Sequence, residues 1–225
     1  VICDYNYVFD PNVYLKRFFG ENHKGSYLFL IDEAHNLVDR GRDMYSAALY
    51  KEDILELKRE VRGIQPKMAR LLEKVNRCLL EYKRECETCQ VLENIGSLPI
   101  HLMNLMEEME TFLEETKEGE LLEKVRDAYF SIRNFMNIYD LVDENYQIYT
   151  EMEEDGRFKL KLFCVNPAEN LQRCLDRGSS AVFFSATLLP LAYYRSLFST
   201  APDDYAICAA SPFDPGKRLL LLARD

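Results

Sequence analysis

Asp32, Glu33 and His35 follow directly on the apolar run Leu28-Phe29-Leu30-Ile31, and Ser185 and Thr187 follow on a second run, Ala181-Val182-Phe183-Phe184. An apolar strand that ends in an acidic pair is how mononucleotide-binding α/β folds place a magnesium-holding carboxylate at the carboxyl edge of a parallel sheet. In that chemistry Asp32 holds Mg²⁺ through one carboxylate oxygen or a bound water. Glu33, one peptide further, takes a proton from the water that attacks a γ-phosphorus. His35 and the hydroxyls of Ser185 and Thr187 then form hydrogen bonds that report nucleotide state to neighbouring segments. The same residues also have a plain structural reading. Asp, Glu and Asn are common at a helix start, and Ser-Ala-Thr after a strand is an ordinary hydroxyl-rich turn and cap. The chemistry requires both apolar runs to lie in one parallel sheet, so that their carboxyl ends meet.

A phosphate site needs a glycine-rich loop with Lys and Ser/Thr at the start of a helix. Gly20-Glu-Asn-His-Lys-Gly-Ser26 contains the right kinds of residue but lacks a Gly-Lys-Ser/Thr ending, and no other segment has the pattern. The chain therefore carries half of a nucleotide site.

A chain of 225 residues with 48% apolar side chains can bury one sizeable core or two small ones. Its net charge of −10 argues against general affinity for polyanions, unless basic residues are focused in one place. No apolar run reaches the length of a membrane span, and no signal peptide opens the chain. The 7 cysteines have no regular framework, which suits a reducing compartment, cytoplasmic in a bacterial-type cell or nuclear in a eukaryote. Val1 stands in the middle of apolar sequence and Arg218-Leu-Leu-Leu-Leu-Ala-Arg-Asp225 stops just after a strand-like run, so a cut piece of a larger protein is expected.

The elements that must position the acidic pair can be read in order. Val1 to Phe9 reads as a short strand and turn closed by Pro11, and Val13 to Phe19 as one or two helical turns. From about Lys51 the period changes. Ile54, Leu57, Val61, Ile64, Met68, Leu71, Val75 and Cys78 form a heptad-like stripe, with a kink or break predicted near Gln65 from Gly63 and Pro66. Leu102 to Leu113 gives a second helix, and Leu122, Val125, Tyr129, Ile132, Met136 and Tyr139 mark a third. Period two then returns. Tyr146–Thr150 and Phe158–Leu162 flank Glu153-Glu-Asp-Gly156 as a hairpin, followed by a helix through Leu175, the strand at 181–184 and a short helix at 190–198. Residues 205–209 and 219–223 read as two further strands. The economical arrangement is an α/β domain interrupted by an all-helical insertion. Its expected limits are 1–41 for the first α/β part, 42–143 for the helical insertion, 144–204 for the return and 205–225 for the start of a second domain or an edge.

Val1-Ile-Cys-Asp-Tyr-Asn-Tyr-Val-Phe-Asp-Pro11, Asp32-Glu-Ala-His-Asn-Leu37, Val182-Phe-Phe-Ser-Ala-Thr-Leu-Leu-Pro190 and Ser211-Pro-Phe213 together resemble, in order, the superfamily 2 DNA helicases of the XPD/Rad3 and bacterial DinG type. The resemblance implies a partial P-loop NTPase (RecA-like) sheet, with an arch domain inserted between the DEAH strand and the Ser-Ala-Thr strand. It implies that Asp32 and Glu33 are the Mg²⁺ and water-activating carboxylates, and that His35, Ser185 and Thr187 couple ATP hydrolysis to movement. The phosphate loop and an iron–sulphur domain would both precede Val1, and a second motor domain with its arginine finger would open near Tyr205. The implied activity is an Mg²⁺- and ATP-driven 5′ to 3′ motor on single-stranded DNA, acting as a monomer with repair or replication proteins. The isolated segment would be inactive and would hold no cofactor tightly.

Candidate DNA contacts in the arch are Lys58, Arg59, Arg62, Lys67 and Arg70, whose alternative is a salt-bridged solvated helix surface. Tyr5 and Tyr7 are candidates for stacking on bases, or else strand-edge aromatics beside a core. Cys86 and Cys89 have the spacing of half a metal site, but no second pair is near. Two other functions compete with the motor. One is a non-catalytic helical module that binds protein or DNA. The other is a nuclease using Asp32 and Glu33, for which the motifs place no third carboxylate.

Overall fold

In the computed structural model of the chain the described residues are 1–20, 25–210, 212–217, 219 and 221. The sheet that carries the acidic pair is formed by β1 (Leu28–Ile31) and β6 (Ser180–Phe183), which pair in parallel with Leu28 opposite Ser180 and Ile31 opposite Phe183. Most of the chain between them is an inserted unit. Phe29 and Ile31 are buried, whereas Leu28 and Leu30 are 61% and 66% exposed. The expected burial of the whole run holds for alternate residues only. A parallel strand is apolar on both sides because both of its faces are normally covered, and here the described residues cover one.

That covered face rests on aromatic packing. The Phe19 ring lies 5.5 Å from Tyr27 and 5.8 Å from Phe29, and Phe183 stacks on Phe198 at 4.7 Å. Phe19 belongs to the single turn α2 (Lys16–Phe19), and Phe198 to α9 (Leu191–Phe198). Leu37 and Val38 of α3 (His35–Met44) complete the floor. Before them, Asn6–Phe9 is a helical turn, α1, and not the expected strand. Asp4 Oδ1 accepts the Asn6 N–H at 3.1 Å, and a local side-chain bond of this kind favours a turn over an extended chain.

The loop into β6 passes very close to β1, because Ser179 N–H donates to the Tyr27 carbonyl at 2.8 Å. A Cβ on Gly178 would meet the Phe29 ring and stand 3.0 Å from the Tyr27 carbonyl oxygen. Gly178→Ala is therefore expected to destabilise the protein by about 1–3 kcal/mol, the usual cost of overpacking, read from the urea midpoint.

The insertion holds four helices and a sheet of its own. α4 (Lys51–Val61) and α5 (Pro66–Glu85) are separated at the predicted break, with Pro66 in the first turn of α5. α6 (Leu98–Glu115) and α7 (Glu120–Tyr139) follow. Ile54, Leu57 and Val61 are buried as expected, but Ile64 is 62% exposed. Because α4 stops at Val61, the helical phase restarts at Pro66, and Met68, Leu72, Val75 and Leu79 form the buried stripe of α5.

The expected all-helical insertion is corrected by four antiparallel strands in the order β2-β5-β4-β3. They are β2 (Ala47–Tyr50), β3 (Cys89–Leu92), β4 (Tyr146–Met152) and β5 (Phe158–Cys164). Leu162 of β5 pairs with Ala47 and Ile148, and Leu160 pairs with Leu49 and Thr150. These residues point into the helices, where Phe158, Leu160, Leu162 and Cys164 are wholly buried. The predicted hairpin turn is present, with Gly156 at φ +84, a conformation that favours glycine. The limits expected from the sequence put the hairpin in the returning α/β part at 144–204. Its hydrogen bonds go instead to β2 and β3, so the inserted unit extends to Cys164. The chain then re-enters the α/β part through α8 (Ala168–Leu175).

Residues 205–209 form no strand, with Tyr205 87% and Ile207 81% exposed. Most of 219–223, Ser211, and four residues of the Gly20–Ser26 connection lie outside the described residues. Among the described residues no helix is long and apolar enough to cross a membrane.

Candidate active site

Parallel pairing of β1 with β6 forces Asp32-Glu33 and Phe184-Ser185 to leave the sheet at the same edge. Two backbone bonds continue the ladder there: Phe184 N–H donates to the Ile31 carbonyl at 3.0 Å and Ala34 N–H to the Phe184 carbonyl at 3.2 Å. The site residues therefore stand on a backbone that is itself cross-linked.

Glu33, His35, Ser185 and Thr187 meet in one hydrogen-bonded cluster. Ser185 Oγ donates to Glu33 Oε2 at 3.2 Å, His35 Nδ1 lies 2.8 Å from Ser185 Oγ, and it lies 3.3 Å from Glu33 Oε2. A serine hydroxyl has one proton, so with that proton on Glu33 the His35–Ser185 bond is the one made by the imidazole tautomer protonated at Nδ1. Thr187 closes the cluster, with its Oγ1 and its N–H each 3.3 Å from Ser185 Oγ. The Glu33 side chain is 59% exposed, so solvent or a substrate can reach it from the open side of the edge.

The backbone turns sharply between Asp32 and Glu33. Glu33 has φ +46, in the left-handed region that non-glycine residues seldom occupy. Asp32 Oδ1 supports that turn by accepting the Glu33 N–H at 2.7 Å. Its second carboxylate oxygen has no protein partner among the described residues. One exposed, hard carboxylate oxygen fits a magnesium ion that arrives with a nucleotide, since Mg²⁺ keeps several waters and takes few protein ligands. Among the described residues no group of three or more His, Cys, Asp or Glu is assembled to hold a metal by itself.

Tyr5 enters the site in a way its sequence position did not suggest. Its hydroxyl donates to the backbone carbonyls of Asp32 and Glu33, the latter at 3.0 Å. Burial, and then the negative charges of Asp32 and Glu33, push the phenol above its ordinary pKa. Tyr7 is 42% exposed on α1, and its hydroxyl has no partner among the described residues.

The basic candidates of the insertion lie on α4, on α5 and on the elbow between them, away from the sheet edge in sequence and in fold. Lys58 pairs with Glu73, which also takes Arg77 at 3.2 Å, and Lys67 pairs with Glu108. Arg70 Nε donates to the Pro66 carbonyl at 3.2 Å. Arg59 and Arg62 are exposed and have no ion-pair partner among the described residues. The Cys86 thiol is buried against the Thr150 carbonyl while Cys89 is exposed on β3, so the two cysteines face different surroundings.

No family model and no curated protein matches the sequence. Among solved structures the chain is similar to Xpd4 of S. tokodaii, with 16% identity and a TM-score of 0.52 over 82% of this chain. This chain spans 39% of the length of that one. At this identity the likeness is one of fold. The parallel strand pair, its inserted unit and that likeness together give the chain a mixed α/β fold similar to part of that structure.

Proposed function

We propose that this chain is the catalytic edge and inserted arch of an ATP-dependent DNA helicase of the XPD and DinG type. The observation that supports it most is the cluster of Glu33, His35, Ser185 and Thr187, which joins two segments far apart in sequence at the carboxyl edge of a parallel pair. A carboxylate that accepts a bond from a serine and lies beside a histidine is held in one orientation while its exposed side faces the substrate. In this reading Glu33 takes the proton of the water attacking the γ-phosphorus. Asp32 holds Mg²⁺ of the bound nucleotide, and that ion neutralises charge on the phosphate oxygens. Ser185 and Thr187 lie on the return segment and feel any change in Glu33, which couples turnover to movement along single-stranded DNA, 5′ to 3′. Arg59 and Arg62, without an ion-pair partner among the described residues, are basic residues of the arch that can meet the DNA backbone.

No segment of this sequence has the Gly-Lys-Ser/Thr ending of a phosphate loop. In the proposed helicase that loop, any iron–sulphur domain and the second motor domain lie on other parts of the polypeptide, and this chain alone does not turn over ATP. The test is ATP hydrolysis and strand displacement by the full-length helicase, with and without single-stranded DNA. Turnover should depend on DNA. Ser185→Ala should lower strand displacement per ATP by about tenfold, within the usual range of coupling energies. DNA-independent turnover, or unchanged displacement per ATP in the variant, would remove the coupling role and favour a helical binding module.

A further inference from the structure

The phenol of Tyr5 reaches the backbone on both sides of the turn that aims the acidic pair. Its ring is half-buried and packs against the core, and its hydroxyl donates to the carbonyl oxygens of Asp32 and Glu33. A hydroxyl has one proton, so the two carbonyls share a three-centre bond. They can do so only while both peptide planes face the same side, and that in turn depends on the left-handed conformation of Glu33. Left-handed backbone is unfavourable for glutamate and persists where the surroundings over-determine it. The Asp32 side chain braces the turn from one direction through the Glu33 N–H. Tyr5 braces it from the other.

We propose that Tyr5 is a positioning residue for the reaction, a clamp that holds the Asp32 and Glu33 peptides so that one carboxylate faces the nucleotide and the other faces Ser185. This deepens the proposed ATPase reading and rests on it. It also gives the segment before α1 a purpose: its position is transmitted to the acidic pair through one hydroxyl. The raised phenol pKa keeps that hydroxyl a donor throughout the working pH range. Stacking of Tyr5 on a base, the other use of an aromatic here, would require the half-buried ring to leave the core and give up both carbonyls.

Positioning and mere stability have different signatures. Both Tyr5 hydrogen bonds lie at exposed positions. In Tyr5→Phe water can take over the two carbonyls, and the ring still fills its place. Stability should therefore change little, because a replaced hydrogen bond is worth little net. The geometry of the turn is what is lost.

The experiment compares DNA-stimulated ATP turnover of the full-length helicase with Tyr5→Phe and with Glu33→Gln, together with melting temperature and amide hydrogen exchange. For Tyr5→Phe the expected result is a fall in kcat of about tenfold, the rate equivalent of one hydrogen bond's net worth. KM for ATP and the melting temperature should stay at their wild-type values, and amide exchange at Glu33 to His35 should be faster. Unchanged kcat and unchanged exchange would overturn the clamp. So would a lowered melting temperature with wild-type kcat, which would make Tyr5 a structural residue only. If Glu33→Gln leaves turnover unchanged, the ATPase reading itself fails, whatever Tyr5→Phe does. If Glu33→Gln is inactive and Tyr5→Phe is normal, only the clamp fails.

Discussion

In the proposed helicase Glu33→Gln is expected to lower DNA-stimulated ATP turnover by about 10²–10⁴-fold, the usual worth of a general base, while nucleotide binding is kept. The substitution is nearly isosteric. The amide oxygen still accepts from Ser185 Oγ and faces His35 Nδ1, so the cluster at the sheet edge stays assembled. Asp32 is untouched, and with it the carboxylate oxygen that would face the nucleotide's magnesium. What disappears is a group able to take a proton from water. Turnover and nucleotide affinity measured side by side decide the matter. Lost turnover with retained affinity puts Glu33 on the attacking water. Unchanged turnover makes the acidic pair a piece of scaffold, and a non-catalytic binding module becomes the better account of the inserted unit.

The second large effect concerns the inserted unit. Leu162→Ala is expected to destabilise the protein by about 2–5 kcal/mol, the range for truncating a buried leucine. Leu162 has no exposed surface and stands on β5, bonded on one side to β2 and on the other to β4. Its loss opens a cavity between the sheet and the helices, which close-packed neighbours fill only in part. Urea unfolding followed by circular dichroism reads the cost. Because the substitution lies in the inserted sheet and the Glu33 cluster at the parallel pair, ATP turnover of the proposed full-length helicase well below the unfolding transition should match the wild type. A cost under 1 kcal/mol would mean that the inserted sheet is not the centre of its core.

The structure separates two kinds of information in this chain. Where a property depends on near neighbours, the sequence carried it. The apolar runs at 28–31 and 181–184 supply the parallel pair because they are too short to form helices of their own, and pairing packs their alternate residues against the core. The hairpin follows from period-two residues around Gly156, and the break between α4 and α5 from Gly63 and Pro66. Parallel pairing of the two runs, reasoned from their shared need for a sheet, put Glu33 and Ser185 at one edge.

What depended on distant partners was not legible. β2 is a four-residue strand that runs directly into α4, and β3 has Val91 61% exposed at the sheet edge, so neither shows clear alternation. Both become strands because the hairpin offers them unpaired backbone groups. Ile64 continues the apolar spacing on paper, yet it is exposed, because the chain turns before it and the helix restarts in a new phase. Tyr5 looked like an aromatic on a strand edge. Only the fold brings its hydroxyl to two carbonyls of the acidic turn, because a hydrogen bond across 27 residues of sequence is set by where the chain returns and not by what stands beside it.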